Sequence, residues 1–342
     1  MQAVADVPEV LEEYGELTRA VVSEYLRPRE PLRHLYGLAA DYPHRGGRML
    51  RPSLCIATAR VFGADIDVAV RVAAALELLH NAFLVHDDVE DESEERRGRP
   101  TLHAQHGVPI AVNVGDALAL IALRALIDCR TRLGPRLGML VLEETERMAR
   151  ESVEGQAIEL GWREDNATEL ADEDYLKMVL KKTCWYSTIY PARAGALLGS
   201  GGERDLDRFV RFGFFLGAAF QIQDDILNLV GDSRKYGKEI DGDIREGKRT
   251  LMLIRLFTEA AAPEKRRLSE LLAKPRCERR ESDIAWVRSL MDHHECIEYS
   301  RRTGHALAGA AQAECERLYR HLPDSRDKRF IQALPLWVLE RR

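Results

Sequence analysis

The sequence predicts an all-α protein, a single-domain bundle of roughly ten or more helices around a central cavity. Three observations lead there. Apolar residues recur at spacings of three and four along almost the whole chain, and no alternating strand pattern recurs. Two segments, 67–91 and 204–230, are apolar on nearly every side, which suits a helix surrounded by others. At 342 residues, 45% hydrophobic and 31% charged, the chain has an ordinary globular composition and can bury a large core. We expect one domain over 1–342. A net charge of −6 with no basic run argues against a nucleic-acid partner. No stretch approaches the ~18 uninterrupted apolar residues of a membrane span, and the acidic N-terminus lacks a leader pattern. The six cysteines lie far apart and read as reduced thiols, so a cytoplasmic protein is expected.

Residues 7–27 carry Val7, Val10, Leu11, Tyr14, Leu17, Val21, Val22 and Tyr25, an amphipathic helical set broken by Pro28 and Pro31. Gly46-Gly47-Arg48-Met49-Leu50-Arg51-Pro52 then leads into a helix starting near Pro52, where a missing N–H costs nothing. Two glycines and two arginines at a helix start make either an anion cradle or a plain turn. The 67–91 helix, with Ala69, Val72, Leu76, Leu79, Phe83 and Leu84, carries His80 two turns before its acidic end. Helices over 107–130 and 134–161 follow. Another over 172–199 holds Lys181-Lys182-Thr183, with a kink near 187–191 caused by Pro191. The 204–230 helix repeats the design of the 67–91 helix. After it, the polar stretch 231–249 mixes Lys235, Lys238, Lys248 and Arg249 with aspartates and glycines, fitting either a lid over a charged ligand or a solvated loop. From 250 to 342, helical stretches alternate with charged turns and favour packing over any site.

Both all-round apolar helices end in an aspartate pair. His86-Asp87-Asp88-Val89-Glu90-Asp91 closes the first and Asp224-Asp225 the second. In a helix, Asp87 and Asp91 stand one turn apart with Asp88 close by, so carboxylates converge and repel unless a cation sits among them. Hard oxygen donors suit Mg²⁺, which takes one or two carboxylates and completes its shell with water and phosphate oxygens. Side by side, the two helices would put carboxylates on opposite walls of one cavity, bridged by divalent cations and an anion. A diphosphate fits that span, with Arg48, Arg51, Arg96, Arg97, Lys182, Lys238 and Lys248 neutralising the remaining charge. Below the acidic mouth the walls are apolar, which describes a substrate with a diphosphate head and a hydrocarbon tail.

On these residues the chain resembles the trans-isoprenyl diphosphate synthase (polyprenyl synthetase) family over nearly its whole length. HNAFLVHDDVEDESEERRGRPT at 80–101 is similar to the first aspartate-rich motif, DDxxD, with its paired arginines, and FQIQDDILNLVGDSRKYGKEIDGDIREGKRT at 220–250 to the second. The stretch 46–52 resembles GGKxxRP, Gly155-Gln156 with Glu159 the GQxxD/E motif, and Lys182-Thr183 the KT motif. The resemblance implies the isoprenoid synthase fold, a homodimer and a Mg²⁺-dependent prenyltransferase. Asp87, Asp91 and Asp224 would hold about three Mg²⁺ ions on an allylic diphosphate, with Asp88 and Asp225 beside them in the catalytic set. Arg96, Lys182 and Lys238 would stabilise the departing diphosphate. Arg48, Arg51, His80 and Arg97 would seat isopentenyl diphosphate, whose double bond attacks the allylic cation. Thr183 and Gln221 would face the cation and the diphosphate, and Lys248 would contact the latter. Loss of a proton then completes a chain longer by one isoprene unit.

The sequence departs from the family pattern in two places. Arg48 replaces a lysine, keeping the charge but changing a point donor into a fork. Asn228 replaces the third aspartate of the second motif, where its amide oxygen is expected to accept from a metal-bound water. Bulk at Phe83 beside small Ala82, with Trp185, Tyr186 and Tyr190 on a facing helix, predicts a short product of about fifteen or twenty carbons. Three alternatives bear on the same residues. A class I terpene cyclase would carry Ser/Thr and Glu where Gly231 and Ser233 stand. A non-catalytic partner subunit would have no need of the intact aspartates, and a His-Asp phosphohydrolase would need a second histidine pair on a helix.

Overall fold

Helices that are apolar all round have nowhere to go but the centre, and that placement organises the chain. The computed structural model describes residues 7–203, 205–231 and 239–341. Helix α1 (Val7–Tyr25) buries Val7, Val10, Leu11, Tyr14, Val21 and Val22 of its apolar set, while Leu17 stays exposed. Short turns lead to α2 (Leu50–Val61) and α3 (Ile66–Glu90). The Asp65 side chain caps α3 by accepting from the Asp67 amide at 2.8 Å. A β-hairpin follows, β1 (Glu95–Arg96) against β2 (Arg99–Pro100). Its turn puts Arg97 and Gly98 at φ 55° and 70°, the left-handed pair that matches strand twist in a two-residue turn. The sequence reading found no strand here, because two-residue strands are too short to show alternation.

Helix α4 (Val108–Glu164) is two helices meeting at Gly134 (φ 75°, ψ 167°) and Pro135, the break expected between 130 and 134. The segment expected over 172–199 comprises α5 (Asp172–Val179), a π-helical stretch Leu180–Ile189, and α6 (Tyr190–Gly199). Pro191 lies inside continuous helical backbone, since Ile189 and Tyr190 before it are both helical. The distortion begins at Leu180, covers Lys182, Thr183 and Tyr186, and reaches Ile189 within the expected 187–191. Helix α7 (Arg208–Val230) is the second central helix. Helices α8 (Leu251–Glu259), α9 (Ala262–Leu272), α10 (Glu281–His293), α11 (Cys296–Tyr319) and α12 (Arg326–Glu340) complete the bundle. Among the described residues, α3 lies along α4, while α7 is enclosed by α11, α12 and the π-helical stretch. The absence of a long uninterrupted apolar run does not exclude helices of spanning length. By length and composition α3 and α4 could each cross a membrane, since an average over a window tolerates the few charges that interrupt a strict apolar run. The apolar window of α3 is 78% buried in the core and that of α4 only 44%.

Candidate active site

The carboxyl ends of α3 and α7 open on one cavity of about 500 Å³, also lined from the Gly47–Arg51 turn, α4, the π-helical stretch and residues 243–250. Asp87, Asp224 and Asp225 line it, as do Arg48, Arg51, His80, Arg96, Arg97, Lys182, Thr183, Gln221 and Lys248. Residues far apart in sequence thus share one chamber. Lys238 lies outside the described residues, as does Lys235.

Helix geometry separates the three acids of the first motif more than their spacing suggests. Asp87 faces the cavity. Asp88, one residue on, points about 100° away and is fully buried, accepting from Tyr42 Oη at 2.5 Å and Arg96 Nε at 2.6 Å. Its place is a clamp that holds the hairpin and the Tyr42 turn to α3; it does not line the cavity. Asp91 is the C-cap of α3 and only 1% exposed. It is held by Arg163 and by Lys248, each at 2.6 Å. Burial pushes its carboxyl up to about 6, with Lys248 opposing. Of the two acids expected to converge, Asp87 lines the cavity and Asp91 lies behind it, the first held by Arg96 and Lys182 and the second by Arg163 and Lys248.

Asp87 meets Arg96 at 3.2 Å and Lys182 at 3.3 Å. Burial acts to lower the Lys182 pKa, but Glu159 and Asp87 outweigh it and keep the ammonium charged. Lys182 reaches this spot because Gly155 of α4 lets the π-helical stretch approach. A Cβ at Gly155 would stand 2.1 Å from the Lys182 backbone nitrogen. On the facing wall, Asp224 pairs with Arg341 at 2.9 Å. Asp225 is 7% exposed and fixed by Tyr175 Oη and Gln221 Nε2, each at 2.7 Å, while Thr183 donates to Gln221 at 2.9 Å. Burial raises the Asp225 carboxyl to about 7 against those two donors.

Asn228 already has partners within the protein. It is 3% exposed, its Oδ1 accepts from the Asp243 amide at 3.0 Å, and its Nδ2 donates to the Glu239 carbonyl at 3.2 Å. Both ends of the amide are used to tether the segment that carries Lys248.

The GGRMLRP turn starts α2 with Met49 left-handed at φ 53°, and Arg48 and Arg51 line the cavity beside it. Arg51 donates to Tyr186 Oη at 3.0 Å and stacks 4.5 Å over its ring. His80 stacks on Tyr186 at 5.7 Å, and Phe83 meets it edge-on at 5.8 Å. Burial, then Arg51 and Arg97, hold the His80 imidazole well below its ordinary pKa, so it is neutral at pH 7. Arg51 Nε and His80 Nδ1 are buried without a hydrogen-bond partner among the described residues, capacity that a ligand would fill. Trp185 and Tyr190, expected to add bulk here, turn away: Trp185 lies under Arg147 and Tyr190 bonds Thr145 at 2.7 Å. Ala82 is buried in the core and does not reach the wall. Phe83 and Tyr186 form an aromatic pair in the cavity wall.

The polyprenyl synthetase family profile matches residues 33–291. The chain belongs to that family. It is an isoprenyl diphosphate synthase by family, hence a prenyltransferase of isoprenoid biosynthesis. A short chain isoprenyl diphosphate synthase of Methanothermobacter thermautotrophicus is 33% identical over 78% of this chain and 80% of its own length. A geranylgeranyl diphosphate synthase of Saccharolobus solfataricus is 33% identical over 70% of this chain and 71% of its own. The crystal structure of geranylgeranyl pyrophosphate synthetase from Pyrococcus horikoshii superposes with a TM-score of 0.84 at 31% identity, covering 98% of this chain and 99% of that one. A polyprenyl synthase from Caulobacter crescentus, solved with calcium and isoprenyl diphosphate, superposes equally well at 28% identity over 98% of each chain.

Within this synthase, sequence reasoning missed Tyr42, Arg163, Tyr175 and Arg341. Arg163 had a signal: it stands one turn beyond Glu159 on the same face of α4. Tyr42, Tyr175 and Arg341 had none, since nothing local marks a side chain that bonds a residue 46, 50 or 117 positions away.

The donor set also bears on a metal. Among the described residues, no three acidic, histidine or cysteine side chains are close enough to form a preassembled cage. That fits a hard divalent cation, which takes few protein carboxylates and fills its shell with substrate phosphate oxygens and water.

Proposed function

We propose that this synthase condenses an allylic diphosphate with isopentenyl diphosphate to a product of about fifteen or twenty carbons, releasing diphosphate. The observation that carries this reading is one chamber with aspartates on two facing walls, basic side chains between them and a Phe83–Tyr186 aromatic pair beyond. Asp87, Asp91 and Asp224 are the proposed ligands of about three Mg²⁺ ions, which when bound supply Lewis-acid charge to the leaving diphosphate. Asp91 joins that set only by letting go of Arg163 and Lys248. Asp88 and Asp225 serve it indirectly, orienting Arg96 and Gln221.

Lys182, Lys248, Arg96 and Lys238 stabilise negative charge on the departing diphosphate more strongly than on the bound substrate, which is what lowers the barrier. Each of the first three rests on an acid of the first motif in the free protein, so it is already positioned when substrate arrives. Arg48, Arg51 and Arg97 hold isopentenyl diphosphate. Neutral His80 offers a hydrogen bond without adding to their mutual repulsion. Thr183 and Gln221 present oxygen dipoles to the allylic cation, and the aromatic pair keeps out water that would trap it.

We also read 1–342 as one unit working in the cytoplasm as a homodimer. Val108, Val112, Leu120, Leu123 and Ile127 form an exposed apolar stripe on the first half of α4, and a second copy of that stripe is its natural cover. The test is a product assay with isopentenyl diphosphate and each allylic starter. We expect short all-trans diphosphates, abolished by EDTA and reduced at least ~100-fold in kcat by Asp87→Ala. Activity unaffected by both treatments would refute the reading.

A further inference from the structure

Among the cations that neutralise the acidic walls is one from the end of the last helix, outside every recognisable motif. Arg341 follows the last turn of α12, and its guanidinium reaches the Asp224 carboxylate at 2.9 Å. The contact is built from three sides. The guanidinium carbon lies 3.9 Å above the Phe220 ring, and Gln223 Nε2 donates to the Arg341 carbonyl at 3.3 Å. The Arg341 side chain is 4% exposed, against 27% for Asp224, so the cation sits beneath the carboxylate it holds. Both residues line the cavity, as does Trp337, one turn earlier on α12.

We infer that Arg341 is a resident counter-ion on the second wall, which a divalent cation must displace from Asp224, so that metal occupancy and docking of the α12 end on α7 are mutually exclusive. This rests on the reading of Asp224 as a metal ligand. The physics is simple repulsion: a guanidinium and a divalent ion drawn to one carboxylate stand within a few ångströms of each other in a partly dry site, where screening is weak. Linkage makes the effect reciprocal. Arg341 lowers the affinity of the second wall for metal, and metal releases Arg341. With Arg341 in place, the wall becomes metal-loaded only when ions are abundant or a diphosphate arrives with them. Arg341 is a positioning residue in this scheme and touches no reacting atom.

The test is Mn²⁺ titration of the full-length, substrate-free protein at low ionic strength, following free Mn²⁺ by electron paramagnetic resonance and tryptophan emission in parallel. Arg341→Gln, which keeps the stem over Phe220, is expected to bind Mn²⁺ about three- to ten-fold tighter than wild type. Arg341→Lys should stay near wild type. Mn²⁺ should change the emission of wild type but not of Trp337→Phe or Arg341→Gln. Affinity unchanged or weakened in Arg341→Gln, in protein whose circular dichroism matches wild type, overturns the inference while leaving Asp224 as a ligand. Asp224→Asn separates the two claims: if it binds as much Mn²⁺ as wild type, the ligand assignment fails and this inference fails with it.

Discussion

Tyr186 is the residue on which two proposed subsites meet. Arg51 donates to its hydroxyl and stacks on its ring, while Phe83 and His80 pack against the same ring. Phe83→Ala should therefore lengthen the product with little effect on ionisation of the starter. Tyr186→Ala should both lengthen it and raise KM for isopentenyl diphosphate several-fold, because Arg51 loses its support. Chain-length analysis of the two variants checks this, and unchanged length in both would remove the pair from any role as a ruler. His80 carries a pH signature. Its folded pKa is depressed, so below the ordinary histidine value of ~6.5 the unfolded chain binds a proton that the folded protein does not, and stability falls as pH drops. The loss approaches ~1.4 kcal/mol per pH unit. Unfolding free energies from urea titration at pH 5 and pH 7.5 should differ less in His80→Asn than in wild type; an identical difference would contradict the depressed pKa.

At the scale of elements, the π-helical stretch Leu180–Ile189 and its contact with α4 decide where Lys182 goes. Wide turns shift the register of side chains relative to an α-helix and recur at functional sites. Here the stretch leans on α4 at Gly155, where a Cβ would collide with backbone and could not be relieved by rotamer change. Gly155→Ala should cost about 3 kcal/mol of stability and lower kcat by displacing Lys182. A variant with wild-type melting temperature and turnover would show that the two elements can part without consequence. The hairpin β1–β2 does similar work with different means. Its left-handed turn sends Arg96 down onto Asp88 and Asp87 while Arg97 bonds the Tyr42 carbonyl at 3.1 Å. Both elements were invisible as such in the sequence, since four strand residues carry no periodicity and a π turn differs from an α turn by one hydrogen-bond step.

For the molecule as a whole, the exposed stripe on α4 is the outstanding surface feature, with Leu120 66% and Ile127 48% accessible. A homodimer through that face predicts that Leu120→Glu with Ile127→Glu yields a monomer. Light scattering across micromolar concentrations checks it, and a variant that keeps the wild-type mass would move the interface elsewhere. What was legible in advance follows a clear physical line. Periodicity, caps and breakers act over a few residues, so the long helices up to residue 230, their order and the break at Gly134 could be read directly, whereas the charged, proline-bearing stretch that holds α9 could not. So could the residue types of the two acidic helix ends, because Asp-Asp pairs on apolar helices are costly unless something binds them. Tertiary structure alone decided which acids face the chamber. Asp88 and Asp91 belong to the same motif as Asp87, yet one is taken by Tyr42 and Arg96 and the other by Arg163 and Lys248. It also decided that Asn228 holds a backbone segment and that Arg341 rests on Asp224. A helix presents its side chains around a full circle, and which of them meets a cavity, a core or a partner depends on neighbours supplied by segments up to a hundred or more residues away.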